Sequence, residues 1–419
     1  MDRTNQPAVL MIAFHFPPLR GSSGIQRTLG FCRYLPEFGW NPIVLTVNPQ
    51  AYEDVADDSL ADVPPGLLVQ RAFALNTARH LAIGGRYPRL LAIPDRWISW
   101  LAGGVISGLA LIRKHRIRAL YSTYPIATAH LIGIVLQRIT GLPWIADFRD
   151  PMAQEGYPED PAVWKSFRWI EEQALRHARY SLFTSPGALR DYRARYPGIP
   201  ADRLELVENG YDEDAFTGPG VAASAARGSA SVDRLVILHS GIVYTSERDP
   251  TQLFRALAEL KRGGFIDARG VEFRFRASAN DALLHALAEE HAIADLISVV
   301  PAIPYRAALS EMMGADALLV MQAANCNSQI PAKTYEYLRA GRPIFALTDP
   351  NGDTADLMRR AGVAPIIPLD SMEGIASALP GFLAALRSRT ARAANPEFVA
   401  GCSRREVTRA LAGLLAKLP

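Results

Sequence analysis

Short, continuous apolar runs alternate with amphipathic stretches along most of this chain. Ala8–Phe14 is apolar on both faces, which predicts a strand buried on both sides in a parallel sheet, and Ile43–Val47, Ala119–Tyr124 and Trp144–Asp150, the last a strand with its exit, continue the series. Between them, Leu29, Phe31, Cys32, Leu35 and Phe38 recur at helical spacing, and Ile126–Ile139 and Trp164–Tyr180 read as helices. Shorter strands are expected at Leu67–Arg71, Ser181–Ser185 and Leu204–Val207. A second alternation starts at Leu235–His239. Its helix carries Leu253, Phe254, Leu257 and Leu260, and strands follow at Val271–Arg276, Leu296–Val300, Ala317–Met321, Ile344–Leu347 and Ile366–Ile367.

Two βαβα series imply two doubly wound α/β domains. The stretch 217–232, rich in Gly, Ala and Ser, has the composition of a linker. It divides a first domain, 1–216, from a second, 233–395. The last helix, Arg404–Leu418, and the residues from 396 onward are expected to cross back and complete the first domain. Two stretches break the rhythm. Residues 48–95 are polar, carry an acidic cluster (Asp54, Asp57, Asp58, Asp62) and read as an insertion with a solvated face. Trp97–Ile112 is the most hydrophobic long window, too short for a full span, and reads as a buried or membrane-surface helix.

Composition narrows the class. At 419 residues, with 49% hydrophobic and 21% charged side chains, the chain has the balance of a two-domain globular enzyme. A net charge of +3 gives no reason to expect nucleic-acid binding. Cys32, Cys326 and Cys402 form no metal-ligand spacing and suggest a reducing compartment, hence a cytoplasmic protein. No Asp-x-Asp stands in a suitable loop, so no metal or other cofactor is expected.

Chemistry concentrates in three places. Pro331 opens a short helix that Gly341 caps and Pro343 stops, which sets Lys333 in the first turn and Glu336 about one turn in. A cation and a carboxylate beside helix amides suit a phosphorylated sugar. Gly21-Ser22-Ser23-Gly24 precedes a helix and offers backbone amides either to an anion or to a tight turn. Thr123, Asp147, Arg149 and Asp150 sit at strand ends, where open parallel sheets bind ligands. The Asp147–Asp150 cluster reads either as an anion clamp or as a structural ion-pair network. His130, on a helix, reads either as catalytic or as a core histidine.

Glu336-Tyr-Leu-Arg-Ala-Gly-Arg-Pro-Ile344 resembles the donor-binding segment of family 4-like glycosyltransferases. The order strand, Phe16-Pro-Pro, Gly21–Gly24, Gln26-Arg27, helix resembles that family's N-terminus, and Asn209-Gly-Tyr-Asp212 its passage between domains. The resemblance implies a GT-B fold: two Rossmann-like domains facing across a cleft, with a C-terminal helix crossing back. It implies retaining transfer of a sugar from a nucleoside-diphosphate donor to a hydroxyl acceptor. The acceptor would be a glycan, a lipid-linked sugar or a small molecule. By the same resemblance, Gly21–Gly24, Gly241, Arg248 and Glu336 hold the donor, with Lys333 beside them by its helix position; His130, Asp147, Arg149 and Asp150 are the catalytic candidates. The chain departs from the pattern at Ser328, where the family's first glutamate stands, at Ile242, where an arginine is expected, and after Tyr124, where a histidine is absent. A nucleotide-sugar epimerase of the same fold, or a non-catalytic nucleotide-sugar-binding subunit, are the alternatives. Peripheral contact with the inner membrane face is expected through Arg113–Arg118 and the Trp97–Trp100 surface.

Overall fold

A computed structural model describes residues 6–20, 23–218 and 234–419. It divides into two compact units, one of Met1–Asn209 with Arg404–Pro419 and the other of Gly210–Ser403. The helix Glu213–Thr217 and the helix Pro396–Gly401 therefore belong to the second unit, whereas the sequence pattern assigns them largely to the first. Most of the expected linker lies outside the described residues.

The first unit holds seven parallel strands, β1 (Ala8–Ala13), β2 (Asn41–Val47), β3 (Leu68–Ala72), β4 (Ile117–Thr123), β5 (Trp144–Phe148), β6 (Tyr180–Phe183) and β7 (Leu204–Leu206), in the order β3-β2-β1-β4-β5-β6-β7. The order reverses between β1 and β4, which are paired from Ala8 with Ile117 to Ala13 with Thr123. The second unit repeats the plan with β8 (Leu235–Ser240), β9 (Val271–Arg276), β10 (Ile297–Val300), β11 (Ala317–Gln322), β12 (Ile344–Thr348) and β13 (Ile366–Ile367), ordered β10-β9-β8-β11-β12-β13. Its reversal falls between β8 and β11. A crevice at the carboxyl ends of the strands beside such a reversal is where doubly wound sheets bind ligands.

Each sheet is covered on both faces, as its apolar strands require. On one side of the first sheet, the Trp100–Lys114 helix packs against Ala127–Thr140 through glycine. A Cβ on Gly104 would stand 2.5 Å from Ile132 Cδ1, and one on Gly108 2.7 Å from Leu136 Cδ1. These glycines in the hydrophobic window are therefore the means of close helix contact, and no described helix is long and apolar enough to cross a membrane. On the other side, Leu411 and Leu415 of the Arg404–Ala416 helix join Val9, Met11, Ile25 and Leu29 in one core. The C-terminal helix thus packs against the Ser23–Tyr34 helix, with Gly30 making room for the Arg404 stem.

Candidate functional site

In the second unit the candidate residues converge at the end of β8. Ser240 closes that strand and its backbone N–H donates to the Tyr337 hydroxyl at 2.6 Å. Gly241 follows with φ +150°, a conformation that favours glycine, and a Cβ there would touch the Lys333 stem at 3.4 Å. The Ala332–Ala340 helix supplies Lys333, Glu336 and Tyr337, spaced three and four residues apart and so on one face. Lys333 Nζ reaches Ser240 Oγ at 3.5 Å. Desolvation, helped by the Arg248 charge and opposed by Glu336, draws the Lys333 ammonium below its ordinary pKa.

Glu336 is 6% exposed. Its Oε1 accepts from the Tyr305 hydroxyl at 2.8 Å, while its Oε2 is buried with no hydrogen-bond partner among the described residues. A buried carboxylate oxygen left this way is costly unless something completes it. Arg248 folds back over its own loop: Nη1 donates to the Ile242 carbonyl at 3.1 Å, and the guanidinium lies 5.3 Å from the Tyr244 ring centroid. His239, one residue before Ser240, donates from Nδ1 to the Leu319 carbonyl at 3.0 Å and keeps a buried Nε2 with no partner among the described residues. Burial pushes its pKa down to about 4, so Nε2 is an acceptor at neutral pH.

In the first unit, Gly21 and Ser22 lie outside the described residues. Ser23 and Gly24 form the first turn of the Ser23–Tyr34 helix, and Gly24 is so close to Arg149 and His15 that a Cβ would collide with the Arg149 guanidinium. His15 comes two residues after β1 and its pKa is pushed down to about 3 by burial and by Arg149. Sequence reading passed over His15, Tyr305 and His239. The signal for His15 was its place at the carboxyl end of the first strand. Asp150, the residue after Arg149, is exposed.

Two of the catalytic candidates are buried in the first unit. Asp147 has no exposed surface and accepts four hydrogen bonds, from Arg27 Nε (2.8 Å), Arg27 Nη2 (3.0 Å), Thr123 Oγ1 (3.2 Å) and the Tyr121 hydroxyl. It is the structural ion pair of the two readings. His130 is fully buried against Phe148 and Trp144, with Nδ1 2.7 Å from Ser122 Oγ. Burial lowers its pKa to about 4. A histidine with a folded pKa below its unfolded value near 6.5 stabilises the fold above that pH and loses the contribution as pH falls toward 4. For His130 the loss amounts to about 3 kcal/mol. Urea titrations at pH 7 and pH 4.5 should therefore show His130→Gln losing correspondingly less stability than the parent, and equal losses would refute the assignment.

The first unit also holds a cavity of about 550 Å³ walled by Tyr87, Trp97, Tyr157 and Phe167, with the ion pairs Arg89–Asp160 and Arg96–Glu53 at its edges. Trp97 leans on Phe14, ring centroids 4.6 Å apart, which sets this cavity beside the residue preceding His15.

Two parallel, doubly wound units, each with ligand-facing groups at its strand ends, and a C-terminal helix returned to the first unit define the GT-B fold. Residues 23–210 match the model of the glycosyl transferase 4-like domain. Among solved structures, the sucrose-phosphate synthase of Thermosynechococcus elongatus is similar at 16% identity, covering 98% of both chains with a TM-score of 0.69. HepE of Anabaena in complex with UDP and glucose is similar at 13% identity over 99% of this chain and 100% of its own, TM-score 0.68. A glycosyltransferase from Rickettsia africae is similar at 12% identity over 99% of both, TM-score 0.63. No curated protein matches the sequence.

Proposed function

We propose that this protein is a retaining glycosyltransferase that moves a hexosyl group from a nucleoside-diphosphate sugar to a hydroxyl, in the biosynthesis of a polysaccharide, glycolipid or other glycoconjugate. The observation that carries the reading is the buried, unpartnered Glu336 Oε2 one turn after Lys333. A ribose hydroxyl would donate to that oxygen. The diphosphate would meet the Lys333 ammonium, the Gly241 backbone and an Arg248 swung from its loop. With those cations supplying the positive charge, departure of the diphosphate is read as metal-independent, driven by electrostatic stabilisation. The acceptor is read as entering through the Trp97–Tyr157 cavity. Retention of configuration rests on the family resemblance. Because HepE was solved with UDP and glucose, UDP is the first donor nucleotide to try.

The epimerase alternative needs a carboxylate acid/base pair near the sugar, and Asp147 is spent on Arg27. Isothermal titration with UDP tests the donor site. Glu336→Gln should weaken binding about tenfold, the usual worth of a hydrogen bond to a charged group, with the melting temperature unchanged. A dissociation constant equal to the parent's would remove the ribose role.

A further inference from the structure

The charge of this chain is unevenly distributed. From Val63 to Ala146 the only acidic side chain is Asp95, whereas ten arginines and lysines fall in the same stretch. Asp95 is turned inward, accepting from the Thr128 backbone N–H at 2.8 Å and the Trp97 N–H at 3.0 Å. Arg86, Arg113, Lys114, Arg116 and Arg118 are exposed and form no ion pair among the described residues. The protruding apolar side chains lie in the same stretch. Ile83 is 87% exposed, Leu90 82%, Ile106 71% and Phe73 58%.

The local structure gathers these groups. Ile83-Gly84-Gly85-Arg86 is a two-residue hairpin: Ile83 N–H donates to the Arg86 carbonyl at 2.8 Å and Arg86 N–H to Ile83 at 3.1 Å. Its glycines have φ +56° and +77°, as a primed turn requires. The hairpin therefore holds a bare isoleucine beside an unpaired arginine. Thr77 Oγ1 donates to the Leu91 carbonyl, and Leu75 is bonded both ways to Ser99 Oγ, at 2.8 and 3.1 Å. The segment is thus fastened to the start of the Trp100–Lys114 helix, whose outer stripe of Ala102, Ile106 and Ala110 ends in Arg113 and Lys114. Trp97 and Trp100 are not part of this surface. Trp100 is fully buried, and Trp97 donates from Nε1 to the Ala51 carbonyl at 2.9 Å.

We infer that this cation-bearing, apolar-studded surface of the first unit docks on an anionic phospholipid bilayer, with Ile83 and Leu90 entering the interface and the cations above the headgroups. Isolated, protruding apolar side chains among unpaired cations fit a soft anionic surface. No described helix can span a bilayer, so the attachment is peripheral. The inference does not depend on the donor chemistry.

Vesicle flotation tests it, using phosphatidylcholine with 30 mol% phosphatidylglycerol against phosphatidylcholine alone. The full chain should float with the anionic vesicles at 100 mM salt and at least tenfold less with the neutral ones. Ile83→Asp with Leu90→Asp should weaken binding at least tenfold, and Arg113→Gln with Lys114→Gln about 25-fold, at roughly fivefold per cation. Both variants should keep the parent's melting temperature and UDP affinity. Failure to float at 50 mM salt would overturn the inference. So would flotation that the hairpin variant leaves intact while heparin or tRNA competes it away, which would mark a general polyanion surface.

Discussion

Asp147→Asn is expected to lower stability by about 3–5 kcal/mol, because it leaves the buried Arg27 guanidinium facing a neutral amide. Arg27 is 5% exposed and Asp147 is fully buried, so water cannot replace the lost charge. The pair also organises more than itself. Arg27 donates onward to the Val207 and Glu208 carbonyls, both at 2.9 Å, and so ties the Ser23–Tyr34 helix to the chain's exit from the first unit. Arg27→Met should cost as much, for the mirror reason. The double replacement Arg27→Met with Asp147→Leu removes both charges and should recover much of either single loss. Urea midpoints of the four proteins decide the matter. A single-variant loss below about 1 kcal/mol, the level of a surface ion pair, would contradict the assignment.

Arg248→Ala should weaken UDP binding by about 10- to 150-fold while leaving the melting temperature within a degree or two of the parent's. In the free protein this guanidinium satisfies its own loop, through the Ile242 carbonyl and the Tyr244 ring. It is therefore not needed to hold the sheet, and its removal should be felt when a diphosphate arrives. Charge-assisted hydrogen bonds to phosphate are worth about 1.5–3 kcal/mol, which sets the range. The position next to Gly241 that would share the load is Ile242. Titration of both proteins with UDP at two salt concentrations provides the check. An unchanged dissociation constant would leave Lys333 as the diphosphate's cation.

The strands were legible because parallel sheets bury both faces, and runs such as Ala317–Met321 and Ile344–Leu347 have few other places to go. The Pro331–Gly341 helix was equally legible, since its start and stop are chemical: the Gly341 φ of +68° is the left-handed cap that the sequence spelled out. Side-chain roles were less so. Asp147 and Arg149 are two residues apart on a strand end, and only the arrival of Arg27, 120 positions away, decides that the first is locked in an ion pair. His130 looked like a candidate because helix position says nothing of which aromatic rings will surround it. The 48–95 region was opaque for another reason. Its hairpin and short helices are fixed by side-chain bonds such as Thr77 to Leu91 and Asn76 to Glu53, which leave no periodic trace.

The helix Arg404–Ala416 finishes a core that begins at Val9. On a translating ribosome the first unit consequently waits for its last piece. All of 210–403 must be made first, on the order of 10–40 s at usual elongation rates. During that interval Ile25 and Leu29 face solvent or a chaperone where Leu411 and Leu415 will later stand.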